Sequence, residues 1–232
     1  FGSNQKADLN TVFSGTLNDL LLEKIDLITV DNTSIVGEIQ FKNLFKDTSE
    51  NFEMDGNFQQ IASTYADLKA LLPSVLGKSL PSGFASLGRF DLRGTAKVSN
   101  QTIETLMDIE TDIGTLSVDL NLDQIKVIDN ASYTGKIQLT DFDLGYLMGE
   151  PKIGLVTSSL SVEGRGFNKE TINSNITGTF DLFDFQEYIY TDLEVSGVIK
   201  NKIFNGQLDI DDPNLKFNFE GLVDFSKKEN IY

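Results

Sequence analysis

The chain of 232 residues has no histidine, no cysteine and no tryptophan, and only 4 prolines. Without histidine or cysteine there is no Ser-His-Asp triad, no thiol nucleophile and no zinc or haem site of the usual kinds. The missing cysteine leaves the compartment open, since a reducing cytosol and a disulfide-free bacterial envelope both fit. Positive charge is scarce: Lys and Arg number 19 against 35 Asp and Glu, and 19 − 35 gives −16. Nucleic-acid binding needs clustered basic residues that release counterions, so no nucleic-acid partner is expected. No uncharged apolar run reaches the roughly 18 residues of a membrane span, and the best stretch, 20–30, is broken by Glu23, Lys24 and Asp26. The chain opens at Phe1 with neither an initiating methionine nor a signal-peptide pattern. It is therefore expected to be a segment of something longer, with any anchor or targeting signal outside it.

What the sequence has is alternation. In 215–225, Leu215, Phe217, Phe219, Gly221, Val223 and Phe225 take every second position, with Lys216, Asn218, Glu220 and Asp224 between them. A period of two over that length is a strand with one dry and one wet face. Phe90, Leu92, Gly94, Ala96 and Val98 repeat it, as do Leu116, Val118, Leu120 and Leu122. So do Tyr133, Gly135, Ile137 and Leu139; Leu193, Val195, Gly197 and Ile199; and Phe204, Gly206, Leu208 and Ile210. Such clean alternation marks antiparallel strands, because parallel strands under helices read as unbroken apolar runs. Connections are short: Asp212-Pro213-Asn214 between two alternating runs is a turn, and Asn130 and Asn201 punctuate in the same way. Strands following one another without helices predict a meander.

One stretch breaks the period. Tyr65, Leu68, Leu71 and Leu72 recur at three and four, which predicts a short helix over 63–72, capped by Ser63 and stopped by Pro73. Val75, Leu76 and Leu80 suggest one further apolar turn. The predicted fold is all-β: a long antiparallel, strongly curved, U-shaped sheet with one short helix. The unit comprises N-terminal strands over 1–58, a helical insertion over 59–82 and a continuous meander over 83–232.

Nine glycines, among them Gly37, Gly94, Gly135, Gly197 and Gly221, stand in phase with the dry face. Glycine inside a strand destabilises it by about 0.5–1 kcal/mol relative to alanine, so the repetition needs a reason. One reason is curvature, since a strand bends most easily where its concave face lacks Cβ. The other is room left for an apolar ligand.

Catalytic chemistry was sought among the carboxylates. Asp108, Glu110 and Asp112 share one strand face by their spacing of two, but it is the wet face opposite Met107, Ile109 and Ile113. Asp211 and Asp212 read as turn residues, and neither pair offers the oxygen ligands of a calcium loop. Gly164-Arg165-Gly166 lacks the third glycine of a dinucleotide loop. No enzymatic activity and no cofactor are expected. Around Leu182 and Phe183 the apolar parity changes, which predicts a bulge with Phe183, Phe185, Tyr188 and Tyr190 on both sides.

Seven stretches taken in order, 71–81, 87–95, 128–137, 141–145, 162–167, 205–214 and 219–226, resemble the TamB family of AsmA-like translocation and assembly module proteins, in its Bacteroidetes form. The resemblance covers about Leu68 to Ser226. It implies a periplasmic segment of a protein anchored in the inner membrane of a Gram-negative envelope. The fold it implies is a tall, U-folded sheet, a β-taco, with an apolar interior that conducts phospholipid toward the outer membrane for its biogenesis. The implied partners are phospholipid, the flanking segments of the same chain, and an Omp85-type outer-membrane barrel of the TamA kind reached through regions outside these residues. The family supplies no catalytic residues. The candidate groove-lining residues are Leu92, Val98, Val118, Leu120, Ile137, Leu139, Phe180, Val195, Ile199, Leu208, Ile210, Phe217, Phe219 and Val223. Acyl chains are expected to lie on that face at roughly 0.8 kcal/mol per buried methylene, with headgroups at the open seam. The alternative is a ligand-free scaffold of the same assembly, supporting insertion of outer-membrane proteins.

Overall fold

The structure, a computed structural model, describes residues 6–29, 33–44, 51–71, 82–167 and 170–224. The alternating runs become strands throughout: β1 (Ala7–Thr16), β2 (Asp19–Thr29), β3 (Ser34–Lys42), β4 (Glu53–Thr64), β5 (Arg89–Ser99), β6 (Thr102–Thr111) and β7 (Gly114–Asp123). They continue as β8 (Ser132–Asp143), β9 (Ile153–Arg165), β10 (Asn173–Phe185), β11 (Tyr188–Tyr190), β12 (Leu193–Lys200), β13 (Ile203–Asp212) and β14 (Leu215–Asp224). Among the described residues, all fourteen belong to one antiparallel sheet in sequence order, with β11 paired to the end of β10 and off the main path. The sheet is curved and does not close, leaving β1 and β14 as its edges. The chain exposes 14169 Å², where a compact monomer of its mass would expose about 10,400 Å².

Turn chemistry sets the register. Asn201-Lys202 and Gln186-Glu187 each place two consecutive residues at positive φ (51° and 63°; 53° and 67°), the backbone whose twist matches that of a two-residue hairpin. β12, β13 and β14 then pair without a slip, as do β5, β6 and β7. The parity change near Leu182 is a bulge: the β9–β10 register shifts between Phe180 and Leu182. β2 carries a comparable irregularity between Leu22 and Ile25, where Lys24 has φ 53°.

The glycines are settled by contact. A Cβ on Gly94 would overlap the carbonyl oxygen of Leu106, and one on Gly135 that of Asp119, both on the neighbouring strand. Gly94 and Gly135 have φ 138° and 148°, a region that side-chain-bearing residues rarely adopt. Gly94 and Gly135 thus stand where backbone crosses close to backbone, while Gly56 and Gly221 lie under the rings of Phe58 and Phe219.

The expected helix is α1 (Tyr65–Leu71), entered two residues later than the expected start at Ser63. Its cap is Thr64, whose Oγ1 accepts from the backbone N–H of Asp67 at 3.2 Å and donates to the Asp67 carboxylate at 2.8 Å. Ser63 instead lies within β4, one residue before its end, buried, with its hydroxyl 2.7 Å from that of Thr33. The strand therefore runs past residue 58, where the helical insertion was expected to begin. Leu72, Pro73 and the further apolar turn expected near Val75 lie outside the described residues. A second helix, α2 (Leu144–Met148), was not expected; Asp143 caps it by accepting from Tyr146 N at 2.8 Å, and Gly149 closes it at φ 67°. Single 3₁₀ segments lie at Ser82–Leu87 and Ile125–Asn130. No described helix is long and apolar enough to cross a membrane.

Candidate functional site

Because almost every strand pairs with its neighbour at matched parity, inward residues line up across the sheet in four rows. One runs Leu27, Ile35, Ile61, Leu92, Ile109, Leu116, Leu139, Ser158, Phe180, Leu193, Ile210, Phe217. Beside it lie Ile25, Gly37, Phe58, Gly94, Met107, Val118, Ile137, Leu160, Gly178, Val195, Leu208, Phe219. The third is rich in small residues: Leu22, Ile39, Gly56, Ala96, Thr105, Leu120, Gly135, Val162, Ile176, Gly197, Gly206, Gly221. The fourth is Leu20, Phe41, Met54, Val98, Ile103, Leu122, Tyr133, Gly164, Ser174, Ile199, Phe204, Val223. Of these four rows of twelve, only Thr105, Ser158 and Ser174 are neither apolar, aromatic nor glycine, so the apolar face is unbroken from β2 to β14. Eleven strand spacings of about 4.8 Å make the face roughly 50 Å long, and four rows about 6.8 Å apart make it roughly 20 Å wide.

All fourteen candidate lining residues fall on these rows, but they do not share one environment. Under β2 to β6 the first two rows are largely filled, while Leu20, Leu22, Ile39, Phe41, Met54, Val98 and Ile103 of the other two are half-buried. Ile25, Leu27, Ile35, Phe58, Ile61, Leu92, Ala96 and Ile109 are buried in one cluster, closed by Leu68 and Leu71 of α1. Leu92, at 7 % exposure, is core with no surface left for a ligand, and Val98 and Val118 pack against the cluster partly buried. A second cluster joins Leu120, Leu122, Tyr133 and Val162 to Ile125 and Ile128 of the 3₁₀ segment, with Ile137 packed on it. Leu120 is buried there as well. Burial pushes the Tyr133 phenol above its ordinary pKa, while its hydrogen bond with Ser174 acts in the opposite direction.

Leu139, Phe180, Val195, Ile199, Leu208, Ile210, Phe219 and Val223 remain only half-buried, and Phe217 is 47 % exposed. Of the row residues on β10 to β14, only Ser174 and Leu193 are buried. A depression of about 670 Å³ crosses these strands but is lined mostly by polar residues, among them the wet-face row Thr179, Glu194, Asp209 and Asn218, with Phe180, Leu193, Ile210 and Phe217 beside them. A second, of about 430 Å³, is likewise lined mostly by the wet face, at Asp123, Thr134, Glu163, Arg165 and Asn173, with Tyr133 and Gly164 beside them.

Beside the first depression β11 is held down by one carboxylate. Asp212, 2 % exposed, accepts from Tyr188 Oη at 2.8 Å, Asn214 N at 2.8 Å, and Thr191 N and Oγ1 at 3.2 and 3.3 Å. The Asn214 N–H, and with it the Tyr188 and Thr191 donors, holds the Asp212 carboxyl below the usual carboxylate range. Sequence reading assigned Asp212 to a turn; its spacing to Tyr188 and Thr191 carried no signal for the buried node. The expected aromatic rim exists: Phe180 meets Phe183 edge-on at 5.6 Å, and Tyr188 meets Tyr190 at 4.5 Å.

The carboxylates weighed for catalysis sit on the wet face. Asp108, Glu110 and Asp112 are exposed; Asp108 lies 3.7 Å from Arg93 and accepts from Ser117 Oγ at 2.6 Å, while Asp112 accepts from Arg89 N at 2.8 Å. Among the described residues no three carboxylates converge in the manner of a metal site. Compared with protein-family models, with curated proteins and with solved structures, the chain matches none.

Proposed function

We propose that this chain is a section of a lipid-transfer conduit of the TamB, AsmA-like kind, working in the periplasm of a Gram-negative envelope within a protein anchored to the inner membrane elsewhere in its length. The observation that carries the reading is the half-buried state of the inner face from β10 to β14, where among the described residues only Ser174 and Leu193 of the four apolar rows are buried. Soluble chains rarely leave so much contiguous apolar surface without an occupant. The dimensions suit a lipid. One leaflet of hydrocarbon is about 15 Å deep, so an acyl chain lying along the strands fits within the roughly 20 Å spanned by four rows. Each buried methylene stabilises by about 0.8 kcal/mol, and a face of uniform apolar character lets the chain slide from strand to strand. Under β2 to β6 the rows through Ile61 and Phe58 leave little room, because α1 and the side chains themselves occupy it. The lipid-bearing stretch is accordingly β10 to β14 with the adjoining half-buried positions of β7 to β9. Phospholipid is the partner these residues serve; docking to an outer-membrane barrel belongs to regions outside them.

The filled section favours the second reading there: a ligand-free scaffold, supporting assembly by rigidity alone. A photo-crosslinking residue placed at Ile199 or Phe217, and separately at Lys200 or Asn218, separates the two in bacterial envelopes. Labelling of phospholipid from the first pair and not from the second supports the conduit. Equal labelling from both faces, or none from either, leaves the scaffold.

A further inference from the structure

The two ends of the strands from β10 to β14 differ in chemistry. Where β10 passes into β11 and β13 turns into β14, the inner face finishes in aromatic rings. Phe180 of the first row meets Phe183 edge-on at 5.6 Å, and Phe183 stacks with Phe185 at 6.3 Å, so all three share the inner side. β11 sets Tyr190 opposite Phe183 and Tyr188 opposite Phe185, and cross-strand partners point the same way. Four rings therefore stand two by two on one hairpin, with Phe183, Phe185 and Tyr190 half-buried and Tyr188 36 % exposed. Tyr188 is held from two sides, its Oη donating to Asp212 at 2.8 Å and accepting from Asn214 Nδ2 at 2.9 Å. The described charges around the rings are Asp184, Glu187, Asp192, Asp211 and Asp212 against Lys152 and Lys216, and Lys216 is already 2.7 Å from Asp211. At their opposite end the same strands carry Lys200 and, in the turn, Lys202, and no described tyrosine.

We propose that this ring array is the headgroup subsite of the inner face. A phospholipid with an ammonium-bearing headgroup, of the phosphatidylethanolamine class, lies along the strands with that headgroup over Phe185, Tyr188 and Tyr190. Its acyl chains run toward the row of Ile199 and Phe204. The inference rests on the transfer reading and adds to it the orientation and the charge of the lipid. Tyrosine, with an apolar body and a polar tip, suits the level where hydrocarbon gives way to headgroup. A cation over an aromatic face is attracted by the ring quadrupole, the more so where water is excluded. The surplus of carboxylates favours a headgroup that carries a positive charge over one whose only charge is its phosphate. The four apolar rows begin at Phe180, beside the rings, so the acyl chains meet apolar surface as soon as they leave the headgroup. Hydrocarbon about 15 Å long then ends within the roughly 20 Å between the first row and the fourth.

Since the chain has no cysteine, Ile210→Cys in the first row and Phe204→Cys in the fourth, both on β13, each give a single site for a bimane label. The probes are phosphatidylethanolamine and phosphatidylglycerol with the same acyl chains, delivered from cyclodextrin. Each is spin-labelled close to the carboxyl end or close to the methyl end of one chain. Phosphatidylethanolamine labelled near the carboxyl end is expected to quench bimane at position 210 more than at 204, and the label near the methyl end to reverse that order. Phosphatidylglycerol is expected to bind about threefold more weakly, a difference that Tyr190→Leu removes and Tyr190→Phe keeps. Circular dichroism checks that both variants retain their strands. The inference alone is overturned by the opposite order of quenching, by equal quenching at the two positions, by tighter binding of phosphatidylglycerol, or by a folded Tyr190→Leu variant that keeps the preference. Absence of quenching in every combination overturns the transfer reading together with it.

Discussion

Replacing isoleucine by phenylalanine at two points of one row measures directly where the inner face is filled. Ile61 and Ile210 lie in the same row, on the fourth strand of the sheet path from one end and the second from the other, with the same parity and the same β-branched chemistry. Ile61 is buried among Leu27, Leu92 and Leu71; Ile210 is half-buried beside Phe217. Strand propensities of the two side chains are alike, so the difference between sites reports packing. At Ile61 the larger ring has no room, and over-packing of a filled core costs about 1–3 kcal/mol. At Ile210 the ring extends over open surface and covers part of Phe217. At about 25 cal/mol per Å², every 40 Å² so covered returns about 1 kcal/mol, and the substitution is neutral or stabilising.

Urea unfolding followed by circular dichroism reads both. With a slope of about 3 kcal/mol per molar, the Ile61→Phe variant should lose roughly 0.5 M in midpoint at unchanged slope, while Ile210→Phe should hold or rise. Truncation supplies the converse: Ile61→Ala should cost about 2–5 kcal/mol through transfer and cavity, and Ile210→Ala less than half as much. Equal losses from the two phenylalanine variants would mean that β13 packs as tightly as β4, and the vacant furrow would be gone.

Two further predictions follow from single groups. Gly94→Ala adds a Cβ that overlaps the Leu106 carbonyl at an unfavourable φ, whereas at Gly221 the nearest atom is 3.2 Å away in the Phe219 ring, a side chain that moves aside. Strained positions of that kind cost about 1–3 kcal/mol, so Gly94→Ala should lower the thermal midpoint clearly more than Gly221→Ala. Asp212 gives a pH dependence. Its pKa is lowered in the folded state, so its contribution is fully present above the unfolded carboxylate value near 3.9 and is lost as pH falls through the folded value. Charged neighbours at that corner are Asp192, Asp211 and Lys216, all exposed. The protection of amides over 186–191, measured relative to intrinsic exchange at each pH, should therefore fall on acidification below about pH 4, and Asp212→Asn should show the low protection already at pH 7 with little further change. Protection that ignores both pH and the substitution would remove Asp212 from its role in holding β11.

Much of this was legible because a strand writes its two faces directly into the order of residues. The runs around Leu92, Val118, Ile137, Leu208 and Phe217 gave strands, parity and meander together, and the aromatic stretch after Phe180 gave the bulge. Legibility fell where the pairing is irregular: Glu23 and Lys24 interrupt the alternation of β2 because the backbone there is bulged. It also fell where an element is too short to show a period. α2 has five residues, less than two turns, yet Asp143 before it and Gly149 after it are a cap and a stop, and those two residues were the available signal. The node at Asp212 was hidden because its partners come from β11 and the following turn, brought together only by tertiary structure. Burial was the least legible property. Leu92 and Ile210 read identically as dry-face residues, since alternation records which way a side chain points and nothing about what stands over it.

That last distinction has a physical consequence for how such a sheet divides into core and open furrow. An apolar face roughly 50 Å long needs cover along its whole length to become a core. Curvature, set by the glycines where backbones approach, brings the flanks closer but adds no side chains to the space between them. Cover must come from residues outside the strands, and the described residues supply it in few places. α1 brings Leu68 and Leu71 to the face of β2 to β6, and the 3₁₀ segment brings Ile125 and Ile128 to β7 to β9. Past β10 the described connections are the short β11 segment and tight turns at Asn201 and Pro213. Among the described residues, cover therefore follows the connections long enough to carry apolar side chains back over the face.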